Sequence, residues 1–299
     1  MAEPESMPSI AVVVPTHQRS ALLRRTLAAI EKVDYPAFEV VVVDDGSSLE
    51  ERTASRRWTE AAGAAFLEQE NAGPATARNR GVAATRSEFV AFLDDDCAPT
   101  QDWLRQLVAP FAATGAADLA AVSGTVKSQP PHNWMSRFCT AAEYITGAQP
   151  EFTNAISANA CYRRAVLEEL RGFDESFRYP GGEDPDLSRR VREAGYRLAH
   201  VPDATVLHAE IDSLPEFLRR QWRRGLGEAR IKTNEGRRAH VLIRAAVFPL
   251  YCARRAAQTW RVTTGKAPIG QRVAYSGVEV LGAVSFVAGS VAGSIVEQR

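Results

Sequence analysis

Three consecutive carboxylates, Asp94, Asp95 and Asp96, follow the run Glu88–Leu93, which is apolar after its first residue. The run predicts a buried strand, so the acids come where the strand leaves the carboxyl edge of its sheet, the edge at which open α/β sheets bind ligands. Adjacent carboxylates repel one another unless a cation neutralises them, and oxygen ligands suit a hard divalent ion such as Mg²⁺ or Mn²⁺. The triplet therefore predicts a divalent-metal site, with a solvated acidic turn as the alternative.

A second group of acids, Glu183, Asp184 and Asp186, surrounds Pro185. Proline suits the first position of a helix, which makes Asp184 the predicted N-cap. A carboxylate at that place lies at the positive end of the helix dipole and stays ionised. Helix capping alone would explain an aspartate at position 184, so the pattern by itself does not indicate a catalytic role for Asp184.

The elements that position these acids begin with a βαβ pattern. The β-branched run Ser9–Val14 predicts a buried strand that ends at Pro15, and Ser20 is the predicted N-cap of the following helix. Phe38–Val43 predicts the next strand, which ends in the polar turn Asp44–Ser47. Strand, helix and strand in this order favour a parallel sheet. The turn after the first strand has no G-x-G-x-x-G motif, so a dinucleotide cofactor is not indicated.

The middle of the chain predicts further elements with polar residues at their ends. Pro74 suits the first position of a helix, which places Arg78 about one turn into it, and a solvated helix face is the simpler role for that arginine. His208 ends the last predicted strand, where a lone histidine usually has a structural role. The remaining predicted elements are a strand at Ala64–Leu67, a helix at Trp103–Phe111, a strand at Ala120–Val126, a mobile loop over the site at Gln129–Gln149, a helix that ends near Leu170, and strands at Tyr196–Val201 and Ala204–His208.

Charge is distributed unevenly along the chain. The sequence has 36 Lys and Arg and 36 Asp and Glu, but 15 of the basic and only 5 of the acidic residues lie after Asp212. An acidic body with a basic tail suits a metal-dependent site beside an anionic surface. The basic residues alternate with apolar runs rather than with aromatic stacking platforms, so nucleic acid is not an expected partner. Four scattered cysteines without a CxxC pair indicate neither zinc nor a disulfide framework, and they favour a reducing compartment.

The basic tail is predicted to be helical and to associate with a membrane. Leu214–Ile231 has the pattern of a basic amphipathic helix, and Val241–Tyr251 is a second apolar block. Val273–Val296 contains one charged residue, Glu279. As a helix this segment would be roughly 36 Å long, enough to cross a bilayer or to lie deep in it, and a GxxxG spacing offers a face for close packing. A buried helix of a soluble protein is the alternative.

Six short motifs in the first two thirds of the chain carry a family resemblance. They are Val-Val-Val-Pro15-Thr16 with Arg19, Val-Val-Asp44-Asp45-Gly46-Ser47, Asn71 with Ala77-Arg78-Asn79 and Gly81, Leu93-Asp94-Asp95-Asp96, Gly172-Phe173-Asp174-Glu175, and Glu183-Asp184 with Asp186-Leu187. In this order they resemble the inverting glycosyltransferases of family 2, whose fold is called GT-A. The resemblance covers about residues 10–208, and beyond them it supports only a helical, membrane-associated region.

The resemblance implies an α/β fold of the GT-A type, with a Rossmann-like, mostly parallel sheet flanked by helices. It implies a nucleotide diphosphate sugar as donor and a divalent metal, Mn²⁺ or Mg²⁺, that neutralises the leaving diphosphate as a Lewis acid. By their place in the motifs, Asp96 would be the direct metal ligand and His208 an additional one. The positions matched to nucleotide-sugar binding are Pro15, Thr16, Arg19, Asp45, Arg78, Asp94 and Asp95.

Inversion requires a base that deprotonates the acceptor hydroxyl while the diphosphate leaves from the opposite face. Asp184 matches that base in the family's Glu-Asp motif, and Asp186 is the second choice. Glu183 would position the acceptor or contact the adjacent loop. The sequence departs from the family's usual motif at residues 17–18, so contacts to the nucleotide base are not implied there. Residues 221–225 do not match the Gln-x-x-Arg-Trp motif of processive synthases, which favours transfer of a single sugar.

These observations predict three regions and one function. Residues 1–127 would be the nucleotide-sugar-binding half and residues 128–212 the acceptor-binding, catalytic half of one GT-A domain, followed by the basic helical region 213–299. The expected acceptor is a hydroxyl of a lipid-linked or cell-envelope glycan at the cytoplasmic face of the cell membrane. One alternative is a nucleotidyltransferase that makes a sugar nucleotide, which should carry a glycine-rich basic loop after the first strand. The other is a non-catalytic sugar-binding protein, which would not need both groups of acids.

Overall fold

The computed structural model describes residues 7–36, 38–113, 115–142, 154–209, 211–234 and 246–296. The chain divides into two compact units, the first made of residues 1–127, 149–178 and 184–208 and the second of residues 128–148, 179–183 and 209–299. The strands are β1 Ile10–Thr16, β2 Phe38–Asp45, β3 Ala65–Gln69, β4 Phe89–Leu93, β5 Cys97–Pro99, β6 Leu119–Ser128, β7 Asn159–Arg163 and β8 Arg197–His208. The α-helices are α1 Ser20–Ile30, α2 Leu49–Ala61, α3 Pro74–Ala83, α4 Trp103–Val108, α5 Trp134–Ala141, α6 Arg164–Glu169, α7 Glu183–Glu193, α8 Leu214–Asn234, α9 Phe248–Val262 and α10 Ile269–Val296.

The first four strands form the parallel half of the sheet. β1 lies between β2 and β4, and β3 pairs with the outer side of β2, all in parallel. β1 and β4 are buried nearly throughout, as their continuous apolar runs predict. Because parallel strands end at the same edge, Thr16 and Asp45 at the ends of their strands and Asp94 just after β4 leave the sheet on the same side.

The other half of the sheet brings later parts of the chain to the same edge. The eight strands lie in the order β3-β2-β1-β4-β7-β6-β8-β5. β7 pairs antiparallel with β4, and Asn159 lies opposite Leu93. β5 follows the acid triplet and pairs antiparallel with the end of β8, which sets Cys97 opposite His208. The fold is therefore a mixed sheet flanked by helices, in which the predicted parallel arrangement holds for β1 to β4.

One buried amide joins the strands of this second half. Asn159 is fully buried, and its Oδ1 accepts a hydrogen bond from the indole Nε1 of Trp103 at 2.7 Å. Its Nδ2 donates to the carbonyl oxygens of Thr125 on β6 and Ala204 on β8, at 3.0 and 2.8 Å. A buried polar group left without a partner costs about 1–3 kcal/mol, so these bonds help to fix β7 relative to β6 and β8.

The second unit is helical in the part that the structure describes, and its two long helices pack through glycine. A Cβ added to Gly225 on α8 would lie 2.1 Å from the carbonyl oxygen of Phe286 on α10. One added to Gly289 on α10 would lie 2.2 Å from the carbonyl oxygen of Trp222 on α8. Only glycine permits this approach, which agrees with the predicted close-packing face. The core shared by α5, α8 and α10 contains Met135, Phe138, Phe217, Tyr275 and Val278.

Helix α10 is the single helix, among the residues described, that is long and apolar enough to cross a membrane by length and composition. Of its most apolar stretch, 44% is buried within the protein. Glu279, the one charge predicted in this segment, is 1% exposed and accepts a hydrogen bond from Arg255 Nε at 2.6 Å. Part of α10 thus packs inside its own unit, and contact with a membrane stays a prediction.

Four local predictions outside the candidate site were wrong. Strand β1 continues through Pro15 to Thr16, whereas the predicted strand ended at Pro15. Ser20 was predicted to be the N-cap of α1, but it is the first residue of the helix, and Arg19 occupies the N-cap position. Residues 134–141 of the predicted mobile loop form α5, since the Asn133 side chain accepts the backbone N–H of Ser136 at 2.8 Å and caps the helix. The two strands predicted in 196–208 are one strand, β8. Residues 143–149 of that loop and 241–245 of the second apolar block lie outside the described residues.

Candidate active site

The acid triplet meets His208 because β5 pairs with the end of β8. Asp96 Oδ1 lies 3.3 Å from His208 Nε2; His208 is buried, and the Asp96 side chain is 9% exposed. Ligand atoms of Asp96, Cys97 and His208 all lie within 4.8 Å of one another. Burial first, and then the neighbouring carboxylates, raise the pKa of the Cys97 thiol, which favours its neutral form. The residues present therefore fit a divalent ion held by one carboxylate and one imidazole.

Asp95 joins the end of β4 to the turn after β1. The hydroxyl of Thr16 donates to Asp95 Oδ2 at 2.7 Å. Arg19 bridges two acids, with its Nη1 3.3 Å from Asp95 Oδ1 and 3.0 Å from Asp96 Oδ2. Burial raises the pKa of Asp95 to about 7; the Arg19 guanidinium opposes this rise, and the adjacent carboxylates add to it. Arg19 thus supplies positive charge that helps to hold the acid cluster together.

Arg78 lies against the first acid of the triplet. Its Nη2 is 3.1 Å from Asp94 Oδ1, and its guanidinium lies 5.5 Å from the centre of the Phe173 ring. Asn79 holds Phe173 in place, since its side chain donates to the carbonyl oxygen of Phe173 and accepts its N–H, both at 2.9 Å. Gly172 has a φ of +65°, and a Cβ there would lie 2.3 Å from Asn79 Oδ1, so this position favours glycine. Arg78 is 4% exposed, which excludes a solvated helix face.

Asp45 organises the loop between β3 and α3. Its Oδ1 accepts hydrogen bonds from Gln69 Nε2 and the Ala72 N–H, both at 2.8 Å, and its Oδ2 accepts one from the Gly73 N–H at 2.9 Å. Gly73 has a φ of +97°, which lets the loop turn into α3. The carboxylate therefore holds this loop, and a contact to a nucleotide stays a prediction. Pro15 is part of β1, directly before Thr16.

Asp184 is connected to the same edge of the sheet through β7. Ser157 lies two residues before Asn159, the partner of the last residue of β4. The Ser157 N–H donates to Asp184 Oδ2 at 3.1 Å. Burial raises the pKa of Tyr162, the Asp184 carboxylate raises it further, and Arg78 acts against that rise. Because Asn159 pairs with Leu93, directly before the triplet, the bond from Ser157 connects Asp184 to the edge of the sheet at which the triplet lies.

The helix that carries Asp184 starts earlier than predicted. Helix α7 begins at Glu183, so Asp184 lies in its first turn and not at the N-cap. Its carboxylate still lies near the positive end of the helix dipole, which favours the ionised form. Glu183 is buried, and its Oε2 accepts the N–H groups of Gly181 at 2.8 Å and Gly182 at 2.9 Å. Glu183 therefore fixes the turn that leads into α7.

Asp186, the second choice for the base, is tied up in ion pairs on its own helix. Its two oxygens lie 2.7 Å from Arg189 Nη2 and 2.8 Å from Arg190 Nε. The Asp186 side chain is 5% exposed. Both carboxylate oxygens are thus held by guanidinium groups of the same helix, so the geometry gives Asp186 a structural role.

Three residues near the acids were not predicted. Cys97 directly follows the triplet, so its position was the one available signal. Ser157 and Tyr162 reach the site because β7 pairs with β4. That pairing joins segments about seventy positions apart and leaves no local pattern in the sequence.

Comparison with known proteins identifies the family. A family model described as glycosyl transferase family 2 matches residues 11–171, more than half of the chain. The chain belongs to glycosyltransferase family 2. It is therefore a glycosyltransferase, and the family resemblance of its six motifs is confirmed.

Two relatives and one solved structure illustrate the similarity. Glycosyltransferase AglE of Haloferax volcanii is 29% identical over 238 residues, which cover 76% of this chain and 75% of AglE. The pre-mycofactocin glycosyltransferase of Mycobacterium tuberculosis is 30% identical over 227 residues, which cover 73% of this chain but only 47% of that relative. The mannosyltransferase PcManGT from Pyrobaculum calidifontis, solved in complex with GDP-Man and Mn²⁺, matches with a TM-score of 0.65 at 22% identity, covering 99% of this chain and 90% of PcManGT. The predicted GT-A fold is thereby confirmed.

Proposed function

We propose that this family 2 glycosyltransferase moves a sugar from a nucleotide diphosphate sugar to a hydroxyl acceptor and inverts the anomeric carbon. The main support is that Asp96 meets His208 beside the Arg78–Asp94 ion pair at one edge of the sheet, and that Asp184 is connected to this edge through Ser157. PcManGT was solved with GDP-Man, which supports a nucleoside diphosphate as the leaving group.

Asp96 and His208 would hold a divalent ion, Mn²⁺ or Mg²⁺, which supplies positive charge to the leaving diphosphate when bound. An imidazole ligand favours Mn²⁺, since Mg²⁺ takes oxygen ligands. The presence of Mn²⁺ in the PcManGT complex agrees with this choice. The donor site would be lined by Pro15, Thr16, Arg19, Asp45, Arg78, Asp94 and Asp95, with Asp45 acting through the loop that it holds.

Asp184 is proposed as the base that takes the proton of the acceptor hydroxyl. The Ser157 N–H bonded to its Oδ2 and the first turn of α7 both favour the ionised carboxylate that this step needs. Glu183 positions Asp184 by fixing the turn before the helix. Residues 1–127 would thus supply most of the donor site, and residues 128–212 would supply the base and the acceptor site.

The acceptor is proposed to be a lipid-linked or cell-envelope glycan reached at the cytoplasmic face of the membrane. The basic character of residues 213–299 and the apolar length of α10 support a membrane surface as partner. The proposed reaction adds one sugar and does not extrude a polymer.

A donor screen tests this function. The full chain is incubated with a panel of nucleotide sugars and Mn²⁺, with and without membrane lipid extract, and nucleoside diphosphate release is measured. We expect release from one donor, dependent on the extract and on the metal. Formation of a sugar nucleotide with pyrophosphate release would instead indicate a nucleotidyltransferase, and the absence of both reactions would favour a non-catalytic sugar-binding protein.

A further inference from the structure

A groove of about 690 Å³ lies on the surface of the first unit. One wall comes from α3, with Thr76 and Arg80, and the other from α6 and the turn after it, with Leu167 and Arg171. None of the residues proposed for donor binding, metal binding or catalysis lines it. Its volume falls in the range of small-molecule sites, about 300–1,000 Å³.

Four arginines line this groove, and two of them are committed to the fold. Arg164 is 8% exposed, and it and Arg86 donate to backbone carbonyl oxygens at and just after the end of α3. There they neutralise the negative end of the helix dipole. Arg80 and Arg171 are exposed, and within the described residues their side chains make neither a hydrogen bond nor an ion pair.

The acidic side chains of the groove form no ion pair with Arg80 or Arg171 within the described residues. Glu168 lies 3.8 Å from Arg164, and Glu175 accepts a hydrogen bond from Asn79 at 3.0 Å. Glu70 is the third acid in the lining. Four guanidinium groups against three carboxylates leave the groove net positive.

The backbone at Arg171 is strained. Its φ is +58°, in the left-handed region that glycine and asparagine tolerate and an arginine side chain disfavours. The position ends α6, where glycine is the usual residue. Residues kept in strained conformations cluster at ligand sites and switch regions.

We infer that this groove binds a phosphate-bearing ligand, with Arg80 and Arg171 as its contacts. A guanidinium group is planar and donates two parallel N–H bonds to phosphate, a geometry that a lysine could not match. Arg86 and Arg164 add positive charge without leaving their backbone partners. The phosphate group belongs either to a free soluble compound or to a phosphorylated lipid headgroup, since both offer the same chemistry. The site does not depend on the proposed transfer reaction.

Calorimetry on the full chain tests this inference, with inorganic phosphate and tripolyphosphate as probes. A parallel flotation assay uses phosphatidylcholine vesicles with and without phosphatidic acid. We expect Arg80→Gln and Arg171→Asn each to weaken binding about 10- to 100-fold, the value of a lost charge-assisted contact. Arg25→Gln removes an exposed arginine of α1 outside the groove, and Asp96→Ala alters the proposed metal site. Both control variants should bind like wild type.

The outcomes separate the alternatives. Binding of soluble phosphate indicates a free ligand, and binding only to vesicles with phosphatidic acid indicates a lipid headgroup. In either case, Arg171→Asn must weaken the binding that is observed. The same variant should keep or raise the melting temperature, since asparagine relieves the backbone strain. The inference would be overturned if no probe bound, or if both groove variants bound the probes as tightly as wild type. It would also be overturned if Asp96→Ala lost probe binding instead, or if Arg171→Asn had a lower melting temperature than wild type.

Discussion

Replacing Asp184 by asparagine removes the proposed base and leaves its surroundings intact. The side-chain oxygen of asparagine can still accept the Ser157 N–H, which lies 3.1 Å from Asp184 Oδ2, so we expect the free energy of unfolding to change by less than about 0.5 kcal/mol. An amide takes no proton from a hydroxyl. General base catalysis contributes about 10²–10⁴-fold, which corresponds to roughly 3–5 kcal/mol of activation free energy. We expect kcat to fall by that factor while the dissociation constant of the donor stays within about twofold.

Asp186→Asn is the matched control on the same helix. Its carboxylate is buried and paired with Arg189 and Arg190, both of which are partly exposed, so its loss should cost about 1–3 kcal/mol of stability. We expect a melting temperature several degrees lower and an unchanged kcat for the folded protein. Nucleoside diphosphate release measures turnover, calorimetry measures donor binding, and thermal unfolding measures stability.

The two variants must therefore fail in different ways. If Asp184→Asn kept more than about a tenth of wild-type kcat while Asp186→Asn lost turnover at an unchanged melting temperature, the base would be Asp186 and our reasoning from the ion pairs would be refuted.

Three further predictions follow from the site and the fold. Asp96→Ala and His208→Ala should each weaken Mn²⁺ binding at least about tenfold in calorimetry, and an unchanged affinity in both variants would remove them as ligands. Asn159→Ala should leave an indole N–H and two carbonyl oxygens without their partner and cost about 3–5 kcal/mol in denaturant unfolding; a cost below about 1 kcal/mol would contradict this. The backbone N–H of Ser20 holds the pKa of Glu51 below its usual 4.5, so the stability from this bond is present above that pH and is lost as the pH falls through the folded-state pKa. Glu51→Gln should therefore melt a few degrees lower than wild type at pH 7, and the gap should close in acid; a gap that is independent of pH would argue against the bond.

Local patterns predicted the parallel half of the sheet well. The apolar runs before Pro15, Asp44 and Asp94 each form a buried strand, because a parallel strand covered on both faces needs a continuous apolar run. Pro74 begins α3 as predicted, since its fixed φ suits the first helical position.

The antiparallel half could not be predicted, because it depends on pairing between distant segments. β5 is only three residues long, yet it determines that His208 meets Asp96. Arg189 and Arg190 follow Asp186 at the i+3 and i+4 spacings of helix ion pairs, which the sequence shows. The sequence does not show that the Asp186 side chain is buried, and its burial is what makes these ion pairs structural. Helix α5 was missed because the prolines before it suggested a loop, whereas the Asn133 cap determines the structure.

The anomeric configuration of the product tests the central assignment most directly. A single displacement with Asp184 as base must invert the anomeric carbon, so an α-linked donor should give a β-glycoside, visible in the proton coupling of the anomeric position by NMR. A product that kept the α configuration would require two displacements or a different mechanism, and it would contradict the role proposed for Asp184.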